Sequence, residues 1–106
     1  TGIASAVKQI DPSIRVIGVV SQGAPAMYNS FKAKDVQNSK SVRTIADGIA
    51  VRDVSLKNLK HILGLVDDVI MVDDEEIATA VLYLLEKQKI VVEGAGATGV
   101  AAVIHK

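Results

Sequence analysis

Residues 89–104 read KIVVEGAGATGVAAVI and contain Gly94, Gly96 and Gly99 in a G-x-G-x-x-G pattern. A short apolar run precedes the glycines, and a run of small residues that could be helical follows them. This is the dinucleotide-binding fingerprint, in which glycines let the backbone approach a pyrophosphate and a helix N-terminus receives its charge. The alternative interpretation is a tight helix start, at which small residues allow two elements to pack closely.

The residues around this motif argue against a nucleotide site. Glu93 directly precedes the first glycine, where its charge would repel a phosphate. Neither a second strand nor an acidic residue for a ribose follows the glycines within the 106 residues. Residues 89–92 are not a clear strand either, because the helical pattern before them continues without a break. The motif by itself therefore favours close packing over nucleotide binding.

The composition is that of one ordinary globular domain. Apolar residues make up 49% and charged residues 23% of the 106 residues, which is enough chain for one domain. Basic and acidic residues cancel, and aromatic residues are too few for a base-stacking surface, so we expect no nucleic-acid partner. The absence of cysteine excludes disulfides and fits a cytoplasmic location. No apolar run approaches the roughly 20 residues of a membrane span, so we expect no membrane contact.

Hydrophobic periodicity predicts alternating helices and buried strands. Apolar β-branched runs at Ile14–Val20 and Asp68–Val72 are typical of parallel strands that are covered on both faces. Helical spacing predicts a first helix over Gly2–Ile10 with one apolar face, and further helices from Pro25 to Ala33, after Ser55 and after Asp73. We therefore expect an α/β fold, with helices packed on a short parallel sheet, as a single unit over residues 1–106.

Residues 41–51, SVRTIADGIAV, leave two interpretations open. Asp47 and Gly48 between alternating residues form a strong signal for a hairpin with a type I′ turn. However, every neighbouring segment is predicted as a helix or a buried parallel strand, which offers a surface hairpin no obvious partner. Local chemistry alone favours the hairpin.

The acidic residues near the second strand could suggest a metal site. Four of them are consecutive, at positions 73–76. Asp73 and Glu76 also have the D-x-x-E spacing of a helix-capping box, and acids are favoured at a helix start by its dipole. We therefore expect a solvated helix start and no metal. His61 and His105 are isolated, so no nucleophile–base arrangement is predicted.

Six segments taken in order resemble the threonine dehydratase (threonine deaminase, serine–threonine dehydratase) family. These are tryptophan-synthase-β-type enzymes that use pyridoxal phosphate. The resemblance covers essentially the whole chain, and its segments are GIASAVK, IRVIGV, GAPAMYNSFKA, SVRTIADGIAV, DDVIMVDDEEI and LLEKQKIVVEGAGATGVAAV. It implies part of a fold-type II pyridoxal-phosphate catalytic domain. It also implies that the glycine run is a helix start packed beside the cofactor. The resemblance therefore rejects the interpretation as a nucleotide-binding site.

The resemblance implies an activity and a set of cofactor-binding residues. Members eliminate water from threonine or serine and release a 2-oxo acid and ammonia, in isoleucine biosynthesis or threonine catabolism. Ala46, Asp47 and Gly48 match the loop whose backbone lies against the cofactor. On this basis we expect a cofactor-side loop instead of the hairpin. Glu93 matches the acidic residue near the pyridine ring, and Gly94 permits that approach. A small amino-acid substrate and a homo-oligomer are implied as well.

The resemblance also implies that essential parts lie outside this chain. The Schiff-base lysine of the family stands in a Ser-x-Lys context far upstream, and we identify no lysine here in the right context. We therefore expect the C-terminal portion of a catalytic domain, inactive by itself and without covalently bound cofactor. Some members bind a cation just after the strand that IRVIGVV matches, but Ser21 occupies that place. The alternative is a stand-alone structural α/β domain that binds nothing.

Overall fold

The two apolar runs form a two-stranded parallel sheet in the computed structural model, which describes residues 1–106. β1 and β2 pair in register from Ile17 with Asp68 to Ser21 with Val72. The elements in chain order are α1 (Gly2–Ile10), β1 (Ile17–Ser21), α2 (Ala26–Ala33), a 3₁₀ turn (Asp47–Ile49), α3 (Leu56–Leu65), β2 (Asp68–Val72), α4 (Asp74–Gln88) and α5 (Gly94–His105). The predicted α/β class with a short parallel sheet is confirmed.

The predicted start of the first strand is wrong, because a turn occupies its first residues. The Asp11 carboxylate accepts hydrogen bonds from the backbone N–H of Ser13 at 2.9 Å and from its hydroxyl at 2.7 Å. The N–H of Ile14 donates to the Asp11 carbonyl at 3.2 Å. β1 begins only at Ile17, and of its residues only Ser21 is buried.

Side-chain caps begin two helices where the sequence predicts them. The Ser55 hydroxyl accepts from the Asn58 N–H at the start of α3. At the start of α4, Asp73 accepts from the Glu76 N–H at 2.8 Å, and Glu76 accepts in return from the Asp73 N–H at 3.0 Å. This reciprocal capping box is the predicted one.

The predicted apolar face of α1 is exposed. The helix has the expected bounds, but Ile3 is 79% and Ile10 84% exposed, and only Ala4 is buried. The periodicity therefore predicts the helix and its bounds correctly, whereas the environment of its apolar face depends on tertiary packing.

The principal core is rich in alanine and lies where α4 and α5 pack against the sheet and the 3₁₀ turn. Its fully buried members are Ala46, Val72, Ile77, Ala80, Ala97, Ala101 and Ala102. Methyl side chains let helix backbones approach closely, and the predicted close packing of the glycine-rich helix is confirmed. A smaller cluster of Ala26, Val54 and Leu59 joins α2 and α3. No helix is long and apolar enough to cross a membrane.

Lys8 and Asp67 join α1 to the sheet. The Lys8 ammonium donates to Asp67 at 2.7 Å and to the carbonyl of Ile14 at 2.7 Å. Asp67 also accepts the N–H of Val16 at 2.7 Å. The hydrogen bond from Lys8 and the backbone N–H of Val16 hold the pKa of Asp67 below its ordinary value. The folded protein therefore binds fewer protons here than the unfolded chain.

We predict that Asp67→Asn destabilises the protein at neutral pH and reduces its acid sensitivity. Because the folded pKa is lowered, the stabilisation is present above the ordinary carboxyl pKa and is lost as the pH falls below about 4. Urea unfolding of wild type and variant at pH 7 and pH 3 measures this, with Asp53→Asn as the control, since Asp53 is exposed. An Asp67→Asn loss of equal size at both pH values would contradict the prediction.

Candidate functional site

The segment 44–48 meets the first turns of α4 and α5 beyond the carboxyl end of β2. Asp74, two residues after β2 ends, bonds directly to Thr44 and Ile45. In open α/β sheets, ligands bind outside the carboxyl ends of the strands. This edge is therefore the natural place for a site.

The hairpin interpretation of Asp47 and Gly48 is wrong. Asp47–Ile49 form a 3₁₀ turn, in which the N–H of Ile49 donates to the Ala46 carbonyl at 3.0 Å and the N–H of Ala50 to the Asp47 carbonyl at 3.1 Å. No glycine in the chain has a positive φ, whereas a type I′ turn needs one at both central residues. The segment bonds to itself and to α4 instead of forming a second strand.

Gly48 lies against the start of α5. A Cβ atom added to it would be 3.0 Å from the Ala95 Cβ and 3.6 Å from Oε1 of Glu93. The absent side chain therefore lets the 3₁₀ turn lie against Ala95 in the first turn of α5, next to the Glu93 carboxylate.

Gly94 permits a second close approach, between α5 and the residues before the 3₁₀ turn. Its added Cβ would be 2.9 Å from the carbonyl oxygen of Ile45 and 3.2 Å from the Cα of Ala46. These atoms belong to the backbone, which cannot rotate away. Ala46 is fully buried beneath this contact, while Asp47 and Gly48 are exposed beside it. The five predicted cofactor-binding residues thus lie together, and their role stays a prediction.

Glu93 is the N-cap of α5, but its carboxylate makes no capping hydrogen bond. The side chain is exposed, and its charge lies at the positive end of the helix dipole. The carboxylate therefore lies at the start of α5 and is available to accept a hydrogen bond from a ligand.

A cavity of about 370 Å³ adjoins Gly48. Its wall is mostly apolar, and its polar side chains are Asp53, Ser55 and Asn58. An apolar cavity with a few polar groups is typical of small-molecule sites. The remaining lining comes from β1, α2 and the segment around the 3₁₀ turn, as Val19, Val20, Ala24, Met27, Gly48, Ile49, Val51 and Val54. Of the five predicted cofactor-binding residues, Gly48 lines this cavity. A larger, more open depression of about 470 Å³ contains none of the predicted site residues.

Two further predicted features have a clear place in the structure. Ser21 is fully buried, and its hydroxyl accepts the N–H of Gly23 at 3.1 Å, so it closes the turn after β1. Asp73 and Glu76 of the acidic run cap α4, as described above. No group of three or more His, Cys, Asp or Glu side chains has the arrangement of a metal site.

The Ser-x-Lys spacing occurs twice, at residues 30–32 and 55–57. Lys57 is exposed on α3 and is not among the residues that line the cavity beside Gly48. The Lys32 ammonium donates to Asp68 at 2.8 Å. Asp68 is the first residue of β2, about 13 Å of strand away from the carboxyl end. The hydrogen bond from Lys32 to Asp68 raises the pKa of Lys32, whereas an amine nucleophile needs a lowered pKa. Lys32 is therefore outside the candidate site.

Thr44 and Asp74 are the site's neighbours that sequence reasoning missed. Their hydroxyl–carboxylate hydrogen bond of 2.6 Å joins residues 30 positions apart. No local pattern signals such a contact.

The sequence profile of the family described as "Pyridoxal-phosphate dependent enzyme" matches residues 1–106. The chain is 41% identical, over its full length, to an L-threonine ammonia-lyase of Thermotoga maritima, of which it covers 26%. Among solved structures, a threonine deaminase from T.th. superposes with a TM-score of 0.92 at 31% identity, over 97% of this chain and 38% of that one. Maize serine racemase superposes with a TM-score of 0.92 at 38% identity, over 99% of this chain and 32% of that one. The chain thus spans about a quarter to two-fifths of these relatives.

We predict that Gly94→Ala destabilises the protein by about 1–3 kcal/mol, because the added methyl overlaps backbone atoms of Ile45 and Ala46. The matched control is Gly64→Ala, in an exposed part of α3 with no atom near the added methyl. It should stabilise by about 0.5–1 kcal/mol, because alanine is the better helix former. Urea unfolding measures both changes, and a neutral or stabilising Gly94→Ala would contradict the contact.

Proposed function

The chain belongs to the pyridoxal-phosphate dependent enzyme family, and we propose that it is part of an L-threonine ammonia-lyase (threonine dehydratase). The reaction is the α,β-elimination of threonine or serine to a 2-oxo acid and ammonia. The proximity of Gly48 to Glu93, beside a cavity of small-molecule size, carries the proposal. The name and the 41% identity of the Thermotoga maritima relative support the choice of reaction.

The residues of this chain would form one wall of the cofactor site. Pyridoxal phosphate, when bound, supplies an electron sink for loss of the α-proton and the β-hydroxyl. Ala46, Asp47 and Gly48 would present their backbone to the cofactor, since Gly48 has no side chain to keep a ring at a distance. Glu93 would orient the ring from the start of α5 by accepting a hydrogen bond. Gly94 would keep this helix start close enough for both contacts.

The cofactor-linking lysine would come from elsewhere in the whole protein. Lys32 and Lys57 have the right sequence spacing, but the bond to Asp68 keeps Lys32 at the opposite end of β2, and Lys57 is exposed outside the cavity lining. We propose that residues 1–106 form a single portion of the catalytic domain, in which they supply the wall and no catalytic lysine, and that they have no deaminase activity by themselves.

We predict that Gly48→Val in the full-length protein lowers turnover of threonine by about 100-fold or more. The added side chain would press against Ala95 and Glu93 and displace the wall, and displacement by about 1 Å has effects of this size. Release of the 2-oxo acid and the absorption band of bound pyridoxal phosphate measure the change. Gly64→Ala and Lys32→Met are the controls and should keep both wild-type values. Normal turnover and a normal band in Gly48→Val would remove Gly48 from the site.

Serine racemisation is the second candidate reaction, and the superposition of maize serine racemase favours it. The full-length protein incubated with L-serine distinguishes the two. A lyase releases pyruvate and ammonia, whereas a racemase accumulates D-serine. If the protein binds no pyridoxal phosphate and acts on neither amino acid, the structural-domain alternative holds.

We further infer a cytoplasmic homo-oligomer that acts in threonine catabolism or isoleucine biosynthesis. Exposed apolar side chains support association, above all Ile3, Ile10, Val91 and Val103, each at least 79% exposed. Sedimentation of the full-length protein as a monomer at high concentration would contradict this part of the proposal.

A further inference from the structure

Asp74 has a different role from the other acids at the start of α4. Asp73 and Glu76 form the capping box, and the Glu75 side chain is exposed. The Asp74 carboxylate is half-buried and turns toward the 3₁₀ segment. Its Oδ1 accepts from the Thr44 hydroxyl at 2.6 Å, and its Oδ2 accepts from the Ile45 N–H at 3.2 Å.

These contacts continue into the candidate cofactor wall. The Thr44 Oγ1 that donates to Asp74 also accepts the N–H of Ala46 at 3.1 Å. The Ala46 carbonyl accepts the N–H of Ile49 at 3.0 Å, which closes the 3₁₀ turn around Gly48. Hydrogen bonds to a carboxylate are shorter and about twice as strong as neutral ones. One carboxylate on α4 is therefore connected through Thr44 to Ala46, whose carbonyl closes the 3₁₀ turn that contains Gly48.

We propose that Asp74 is a positioning residue, which acts through Thr44 to set the position of Gly48 relative to Glu93 and thereby the geometry of the bound cofactor. Glu93 belongs to α5, whose first turn packs on the backbone of Ile45 and Ala46. A shift of that backbone moves Gly48 with respect to the carboxylate. The inference rests on the proposed function, because it assigns the wall to pyridoxal phosphate.

The test is a titration of the full-length apoprotein with pyridoxal phosphate, which gives the Kd and the absorption maximum of the bound cofactor. We expect Asp74→Ala and Thr44→Val to raise the Kd about tenfold, the size expected from losing one hydrogen bond to a charged group, and to shift the band. Thr44→Ser keeps the hydroxyl and should restore wild-type values. Asp74→Asn keeps one acceptor oxygen but places an amide donor against the Thr44 hydroxyl or the Ile45 N–H, so its Kd should lie between wild type and Asp74→Ala.

Glu75→Ala is the matched control. It removes an acid from the same turn of α4, and hence the same interaction with the helix dipole, but the Glu75 side chain is exposed and makes no hydrogen bond to the segment. Its Kd and band should equal those of wild type. The effects of Asp74→Ala and Thr44→Val on the Kd should be less than additive in the double variant, because both changes remove the hydrogen bond between Thr44 and Asp74.

The melting temperature of each apoprotein separates positioning from a purely structural role, with all titrations made well below it. An Asp74→Ala protein that melts earlier but keeps the wild-type Kd and band would overturn the inference. If Asp74→Ala does not fold, the Kd and the absorption maximum of Thr44→Val and Asp74→Asn test the inference instead. Wild-type protein that binds no pyridoxal phosphate would instead overturn the proposed function, and the inference with it.

Discussion

The absence of a side chain at Gly94 is the constraint on which the site depends. Because no Cβ is present, the first turn of α5 lies directly on the backbone of Ile45 and Ala46. This contact buries Ala46 in the principal core and brings Gly48 beside Glu93. Farther along α5, Ala97 and Ala101 continue the close approach toward α4 and the sheet. The same small residues thus serve the core and the geometry of the wall.

Parallel strands determine which segments can meet at this wall. Both strands end at one edge of the sheet, so the residues after them emerge on the same side. Asp74 follows β2 almost immediately and needs no long loop to reach Thr44. The cavity beside Gly48 is lined by the last residues of β1 for the same reason. Lys32 on α2 is bonded to Asp68 at the other end of β2, so the length of the strand separates it from this edge.

Sequence reasoning predicted features that depend on neighbours along the chain. The bounds of β2 and α1 and the capping box of Asp73 and Glu76 follow from local periodicity and spacing, and the structure has all three. The conformation at Gly48 was not predictable locally, because distant Asp74 and α5 hold a segment whose own pattern favours a hairpin. Only the family resemblance grouped it with Glu93. The exposure of the apolar face of α1 and the Thr44–Asp74 contact likewise depend on tertiary context.

The first turn of α4 contains none of the predicted cofactor-binding residues. It nevertheless contacts both segments that do, residues 44–48 and α5 with its N-cap. Asp74 holds the segment before Gly48, at one end of α5. Glu76 lies 3.4 Å from the Lys106 ammonium and 3.9 Å from His105 Nδ1, at the other end of that helix. The capping box stabilises this first turn, from which both side chains extend. The four consecutive acids thus have different roles. Asp73 and Glu76 cap α4, Asp74 bonds to the segment before Gly48, and Glu76 also approaches the end of α5. Net charge does not reveal this division, because it depends on which carboxylate faces which element.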